Sequence, residues 1–419
     1  MRTARYLLLF VAILGVPGAT YADVVTDWNN AALEAIRVNR TAPPIASRVL
    51  AIMHAAIYDA VNGISRTHEP YRVASAVPRS GSKEASASAA ARKVLSVLFP
   101  DRVSIFDTLH ATTLAGLPAG PQREAGLAWG VIVADAILAW RSTDNSDALV
   151  SPPAYDGIGS WQPTLPAFAP YALPQWGYVE PFAMPTSSFF RSSGPPALTS
   201  VEYAVAYNQV KTLGAAMGSM RTPEQDVIAA FWADGAGTET PPGHWNRIAQ
   251  GLVARSGQGI DQNARLFSLI NIAMADAAIC AWDAKYFFHN WRPVTAIRNA
   301  DVDGNPATEV DATWTPFLVT PPFPDYVSGH STFSGAASVV LAMFYGSDDV
   351  IFTTGSDFLP AVRRTFMSFS AAADEAALSR LYGGIHFAFS NLDGLQAGRA
   401  IGEWTFTHVL LEKRDRSRK

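Results

Sequence analysis

Residues 263–293 read NARLFSLINIAMADAAICAWDAKYFFHNWRP, and their pattern sets the fold class. Apolar residues occupy most faces of this run, as in a helix buried in a core rather than one lying on a surface. The spacing predicts one helix over residues 263–291, ending before Pro293 because the residue preceding proline is pushed out of helical geometry. Cys280, the chain's one cysteine, falls in the apolar run. It can form no intrachain disulfide and is expected to be a buried, inert thiol. Lys285 and Arg292 lie near the end of the run, seven residues apart. On one helix that separation would project both cations from the same face, about 20° apart. Two cations beside Trp282, Phe287, Phe288 and Trp291 are costly to bury unless an anion neutralises them, the bland alternative being side chains that reach out to solvent.

Outward from this run, most of the chain also reads as helix. Residues 44–62 carry apolar positions at helical spacing and end at Gly63, a candidate C-cap. Residues 84–99 are alanine-rich and stop at Pro100, and residues 123–141 are apolar on most faces. Thr199 with Glu202 and Thr222 with Gln225 fit capping boxes, the second with Pro223 at the first helical position. Further helices are expected at 332–345, 371–382 and 393–411. Few segments alternate as strands do, so the fold class is all-α. Proline and aromatic residues crowd residues 152–196, which suits an ordered irregular connection better than a flexible linker. It divides an N-terminal helical half, about 24–145, from a C-terminal half, about 200–412, with the connection at about 146–199.

The 419 residues are 49% hydrophobic and 16% charged, with a formal net charge of −4. That is a globular balance, and it lacks the basic stripe that nucleic-acid binding requires. The first residues look like a secretory leader: Arg2 and Arg5, an apolar stretch at 6–16, Pro17-Gly18, then Ala19-Thr20-Tyr21-Ala22 with cleavage after Ala22. The leader is residues 1–22 and the mature chain, 23–419, is one catalytic domain expected to be exported, periplasmic or secreted. The apolar stretch is too short for a membrane span, and no other run approaches about 18 uninterrupted apolar residues.

Two further polar clusters follow in the C-terminal half. In PPFPDYVSGH, residues 321–330, Ser328 and Gly329 precede an apolar helix and would sit at its N-terminus. There free N–H groups and the helix dipole favour an anion, with His330 placed to exchange protons. In SRLYGGIH, residues 379–386, Arg380 adds a fixed cation and Gly383-Gly384 let the chain turn so that His386 faces the same place. Each cluster alone also fits an ordinary structural role. Together their order and spacing resemble the vanadium haloperoxidase and type-2 phosphatidic acid phosphatase superfamily. Its pattern is Lys, six residues, Arg-Pro; then Pro-Ser-Gly-His; then Ser-Arg, five residues, His. Met274-Ala275-Asp276-Ala277, Trp291-Arg292-Pro293 and Pro322-Phe323-Pro324 are similar to bacterial and fungal haloperoxidases. Weaker likeness appears in PPGHWN, residues 241–246, and HAAIYDA, residues 54–60.

The resemblance implies two four-helix bundles packed together, with the anion site in the C-terminal one. It implies that His386 ligates vanadium and that Lys285, Arg292, Ser328, Gly329 and Arg380 hold the vanadate oxygens, phosphate being able to occupy the site in its absence. His330 would be the acid–base group. Hydrogen peroxide, halide and a small organic acceptor would be the partners, and oligomer formation stays open. Trp282 and Phe323 resemble aromatic positions near the halide site, with core packing as their bland role. Bromide and iodide oxidation is expected, chloride being the harder case. Two positions depart from the pattern. Val327 replaces the proline of the second motif. Ser390 stands where the phosphatases carry an Asp four residues after the last His, the nearest acid being Asp393; this favours the haloperoxidase branch. The alternatives are a soluble exported acid phosphatase with a phosphohistidine intermediate, or an oxyanion-binding protein without turnover.

Overall fold

The structure, a computed structural model, describes residues 23–74 and 79–413, so the leader read in residues 1–22 lies outside the described residues. The N-terminal half contains α1 (Val24–Val38), α2 (Pro43–Ser65), α3 (Lys83–Leu98), α4 (Val103–Ala115) and α5 (Pro121–Arg141). The C-terminal half contains α6 (Val201–Leu213), α7 (Pro223–Phe231), α8 (Thr240–Ser256), α9 (Ile260–Phe288), α10 (Pro293–Arg298), α11 (Gly329–Tyr345), α12 (Phe369–Tyr382) and α13 (Ala388–His408). Among the described residues the sheet is a single hairpin, Phe352–Gly355 paired antiparallel with Arg363–Phe366. The fold is the all-α bundle architecture expected.

The long α9 is the common wall. It packs against α2 of the first half and against α11 and α13 of the second. Both α2 and α9 are long and apolar enough to cross a membrane by length and composition. Within the fold, however, 89% and 94% of their most apolar windows are buried, as in core helices. Cys280 is buried on α9, as expected. The 146–199 connection contains one short 3-10 turn, Trp176–Tyr178, and is tied to the core by Asp276 of α9. That carboxylate accepts the Phe182, Ala183 and Met184 N–H groups at 2.6, 2.8 and 2.7 Å.

Several boundaries differ from the sequence reading, each for a local reason. α2 runs past Gly63 to Ser65 and is capped by Arg66 in the left-handed region (φ 58°). Gly63 instead makes room for Trp129, whose indole would lie 2.6 Å from a β-carbon there. α6 is capped by Ser200, whose hydroxyl accepts the Tyr203 N–H, rather than by Thr199. The Thr222–Gln225 capping box and Pro223 at N1 of α7 are as expected. α9 ends at Phe288, because His289 adopts a left-handed conformation (φ 52°) and caps it. Arg292 is therefore not on α9; it is the N-cap of α10, extended (φ −84°, ψ 155°) ahead of Pro293. The shared-face geometry predicted for Lys285 and Arg292 is replaced by convergence from two elements.

α11 and α13 approach backbone to backbone. A β-carbon at Gly398 would lie 2.2 Å from the Thr332 carbonyl oxygen, and one at Gly335 would lie 2.5 Å from that of Leu395. Only glycine permits this closeness, and it brings the start of α11, with Ser328 to His330, against the start of α13 just after His386.

Candidate active site

Ser328 is the N-cap of α11 and Gly329 its first residue. The first intrahelical bond runs from the Thr332 N–H to the Ser328 carbonyl at 3.0 Å. The preceding N–H groups of Gly329, His330 and Ser331 thus lack helical acceptors and point outward from the positive end of the helix. The Ser328 hydroxyl makes no cap hydrogen bond and accepts from Ser331 Oγ at 3.0 Å. A β-carbon at Gly329 would meet only aromatic edges, the nearest being the Trp282 ring at 3.4 Å. The Trp282 ring therefore lies at contact distance over this face of the helix terminus.

Three cations enclose the same space. Lys285 and Arg292 are fully buried and Arg380 is 1% exposed. Lys285 Nζ donates to the carbonyls of Pro324 and Asp325 at 2.8 and 2.9 Å. Arg292 Nε donates to the Phe323 carbonyl at 2.8 Å, and its Nη1 donates to Ile385 O at 2.6 Å and His386 Nε2 at 3.0 Å. Arg380 is held by Ser379 Oγ at 2.9 Å and the Trp232 carbonyl at 2.6 Å. None of the three makes an ion pair among the described residues. Carbonyl dipoles solvate these charges but do not neutralise them. Burial, with the neighbouring Arg292, drives the Lys285 ammonium well below its usual range, and burial lowers Arg292 and Arg380 to about 10.

Both histidines are neutral for the same reason. His386 is driven well below the usual histidine range by burial and then by Arg292, Lys285, His330 and Arg380. His330 is lowered by burial and by Arg380, against carbonyl contacts from Ala233 and Trp232 that favour its charged form. His330 Nε2 and Arg292 Nη2 are buried without a hydrogen-bond partner. Unpartnered polar atoms are rare in interiors, and here both belong to one cationic chamber. His330 and Phe323 keep partial exposure while the other site residues are buried.

Trp282 and Phe323 form an aromatic pair with centroids 4.9 Å apart. Phe323 lies 4.9 Å from Lys285 Nζ and 4.9 Å from Arg292 Cζ, so its ring contacts both cations. Lys285, Arg292, Ser328, Gly329, His330, Arg380 and His386, drawn from four separate segments, thus converge with Trp282 and Phe323 on a single chamber.

The sequence reading missed two buried groups. Asp325 is fully buried, and its Oδ1 lies 2.9 Å from His386 Nδ1, while Ser390 Oγ lies 3.2 Å from the same nitrogen. Burial pushes Asp325 up to about 7, against the pull of Arg292 and Lys285. The absence of an Asp at position 390 therefore does not leave His386 without a carboxylate, and that position carries less weight than its sequence suggests. Asp393 points elsewhere, accepting from the Tyr326 hydroxyl at 2.5 Å. Asp325 stood within the second motif itself; an acid among Pro324, Tyr326 and Val327 was the available signal. The second group is the buried pair His244 Nδ1–Asp234 at 3.1 Å, with His244 stacked on Trp232 and electrostatically coupled to His330. His289 is 5% exposed and hydrogen-bonded through Nε2 to the Tyr171 hydroxyl at 2.5 Å.

Comparison with known proteins agrees with this geometry. Residues 265–412 match the VCPO second helical-bundle domain family. Vanadium chloroperoxidase of Curvularia inaequalis is 27% identical over 401 residues; the match covers 76% of this chain and 65% of that protein, just under two thirds of its length. The crystal structure of a bacterial vanadium-dependent iodoperoxidase superposes with a TM-score of 0.81 at 29% identity, covering 93% of this chain and 97% of the other. A holo bacterial vanadium-dependent chloroperoxidase shares the fold, with a TM-score of 0.71 at 17% identity over 94% of each chain. In its C-terminal bundle, its motif order and its whole-chain fold, the chain is similar to the vanadium haloperoxidases.

Proposed function

We propose that the chain is an exported vanadate-dependent haloperoxidase that uses hydrogen peroxide to oxidise halide. The observation that carries this reading is the set of three buried cations without ion-pair partners, closing on His386. Uncompensated buried charge is expensive, and a tetrahedral oxyanion would supply the missing countercharge. The donor set fits that shape: a lysine, two guanidinium forks, a hydroxyl and a helix N-terminus.

In this reading Lys285, Arg292, Arg380, Ser328 and the Gly329 N–H would hold the vanadate oxygens, and His386 Nε2 would ligate vanadium. Bound vanadate supplies Lewis-acid activation of hydrogen peroxide toward halide, giving a hypohalous-acid equivalent that halogenates a small organic acceptor. His330 Nε2, enclosed and neutral, accepts a proton from incoming peroxide and returns it later in the cycle. Trp282 and Phe323 bound the halide approach, where the Phe323 ring meets the field of Lys285 and Arg292. The similarity to an iodoperoxidase supports iodide as an oxidised halide, and bromide is proposed beside it. Export rests on the leader-like residues 1–22.

The test is a paired assay on purified protein. With orthovanadate, peroxide-dependent bromination of a dione reporter is expected; without it, hydrolysis of an aryl phosphate measures the competing phosphatase chemistry. Phosphate hydrolysis with no halogenation at any pH would assign the chamber to phosphoryl transfer instead.

A further inference from the structure

The tautomer of His386 is fixed by its neighbours. Arg292 Nη1 lies 3.0 Å from Nε2, and a guanidinium can only donate, so Nε2 carries the lone pair and Nδ1 the proton. Nδ1 faces two oxygens. Ser390 Oγ accepts from it at 3.2 Å, its own proton being committed to the Asp325 carbonyl at 3.1 Å. Asp325 Oδ1 lies closer, at 2.9 Å, and its carboxylate also feels the Ser390 hydroxyl and the Phe387 N–H. A buried carboxylate placed against the far nitrogen of a prospective metal ligand is the arrangement by which neighbouring acids orient a histidine and raise its basicity.

We infer that Asp325 is a positioning residue: its carboxylate keeps the His386 proton on Nδ1 and strengthens Nε2 as a donor to vanadium. The inference rests on the proposed vanadate chemistry. The competing role is charge balance, with Asp325 serving only to offset Lys285 and Arg292. The two roles predict opposite signs. Removing a negative charge from a cationic chamber tightens any oxyanion held by charge alone. Removing the group that supports Nε2 weakens an oxyanion that bonds to that nitrogen.

The experiment measures equilibrium dissociation constants for orthovanadate and for inorganic phosphate on the wild-type protein, Asp325→Asn and Ser390→Ala. Asp325→Asn is expected to weaken vanadate by about 10-fold or more, while phosphate binds equally well or more tightly. Retained phosphate binding also shows that the chamber has folded. A vanadate constant that falls or moves in parallel with the phosphate constant would overturn the inference, as would a vanadate defect confined to Ser390→Ala. Nitrogen NMR of the histidine-labelled wild-type protein gives a check that needs no variant. A protonated Nδ1 supports the assignment, and a protonated Nε2 refutes it. Failure of the wild-type protein to bind vanadate at all would remove the proposed function and this inference with it, whereas parallel shifts in Asp325→Asn would remove the inference alone.

Discussion

His330→Ala separates chemistry from anion binding. His330 Nε2 is buried in the chamber with neither hydrogen bond nor ion pair, and the carbonyls of Trp232 and Ala233 lie near enough to the ring to act on its charge. The ring contributes no net charge to a chamber whose binding power comes from three cations, so its removal should alter the vanadate dissociation constant by less than about 3-fold, under 0.7 kcal/mol on the scale where tenfold is 1.4 kcal/mol. The structural cost is also small. The Trp232 carbonyl keeps Arg380 Nη2 at 2.6 Å, leaving the Ala233 carbonyl as the group that can lose a donor. One such loss costs about 1–3 kcal/mol of stability, too little to unfold the chain. The turnover cost should be far larger, because a positioned acid–base group is worth about 100- to 10,000-fold, or roughly 3–5 kcal/mol of barrier. The assay is steady-state iodide oxidation at saturating vanadate and peroxide, with vanadate affinity measured separately. A kcat within a few-fold of wild type would refute the role of Nε2. So would a loss fully recovered by adding vanadate.

Other consequences follow from the packing and the buried titratable groups. Gly398→Ala should lower the melting temperature by several degrees and weaken oxyanion binding, because its β-carbon would collide with the Thr332 carbonyl at 2.2 Å and push α13 away from the start of α11. Calorimetry with and without phosphate reads both effects, and an unchanged protein would show that the close approach is not needed. Asp276→Ala strands the Phe182, Ala183 and Met184 N–H groups and should cost about 2–5 kcal/mol in denaturant unfolding. A loss below about 1 kcal/mol would mean that the connection is held by other contacts. His54, buried with Nε2 2.9 Å from Asn29 Oδ1, is lowered by burial to about 3. Its neutral form is favoured in the folded state, so its contribution is present above the unfolded value near 6.5 and is lost as pH falls from there toward 3. Proton uptake on unfolding at pH 4–6 should therefore drop by about one in His54→Asn; equal uptake in both proteins would contradict this.

The helical class was legible because burial leaves its mark on composition: α9 and α2 are apolar nearly all round. The seven candidate-site positions that the fold brings together were legible because they fall in three compact motifs. Geometry set by single residues was not. Nothing in the spacing marks the left-handed conformation of His289 that ends α9 before Arg292, so Lys285 and Arg292 meet from two elements rather than from one helix face. Gly63 looked like a helix terminator because glycine serves both at C-caps and at close packing, and only the Trp129 indole distinguishes them. Asp325 was hidden by the assumption that the carboxylate orienting His386 would come from the same helix. It comes instead from the turn before α11, brought there by the glycine contacts between α11 and α13.

The central claim is that the cationic chamber around His386 holds vanadate and turns over peroxide and halide. The most direct measurement is the initial rate of peroxide-dependent triiodide formation as orthovanadate is titrated into metal-free protein, repeated in the presence of inorganic phosphate and with His386→Ala. The account predicts a saturable rise in rate, a midpoint displaced upward by phosphate competing for the same cations, and no vanadate-dependent rate in His386→Ala. A rate that ignores vanadate, or that survives intact in His386→Ala, would contradict it.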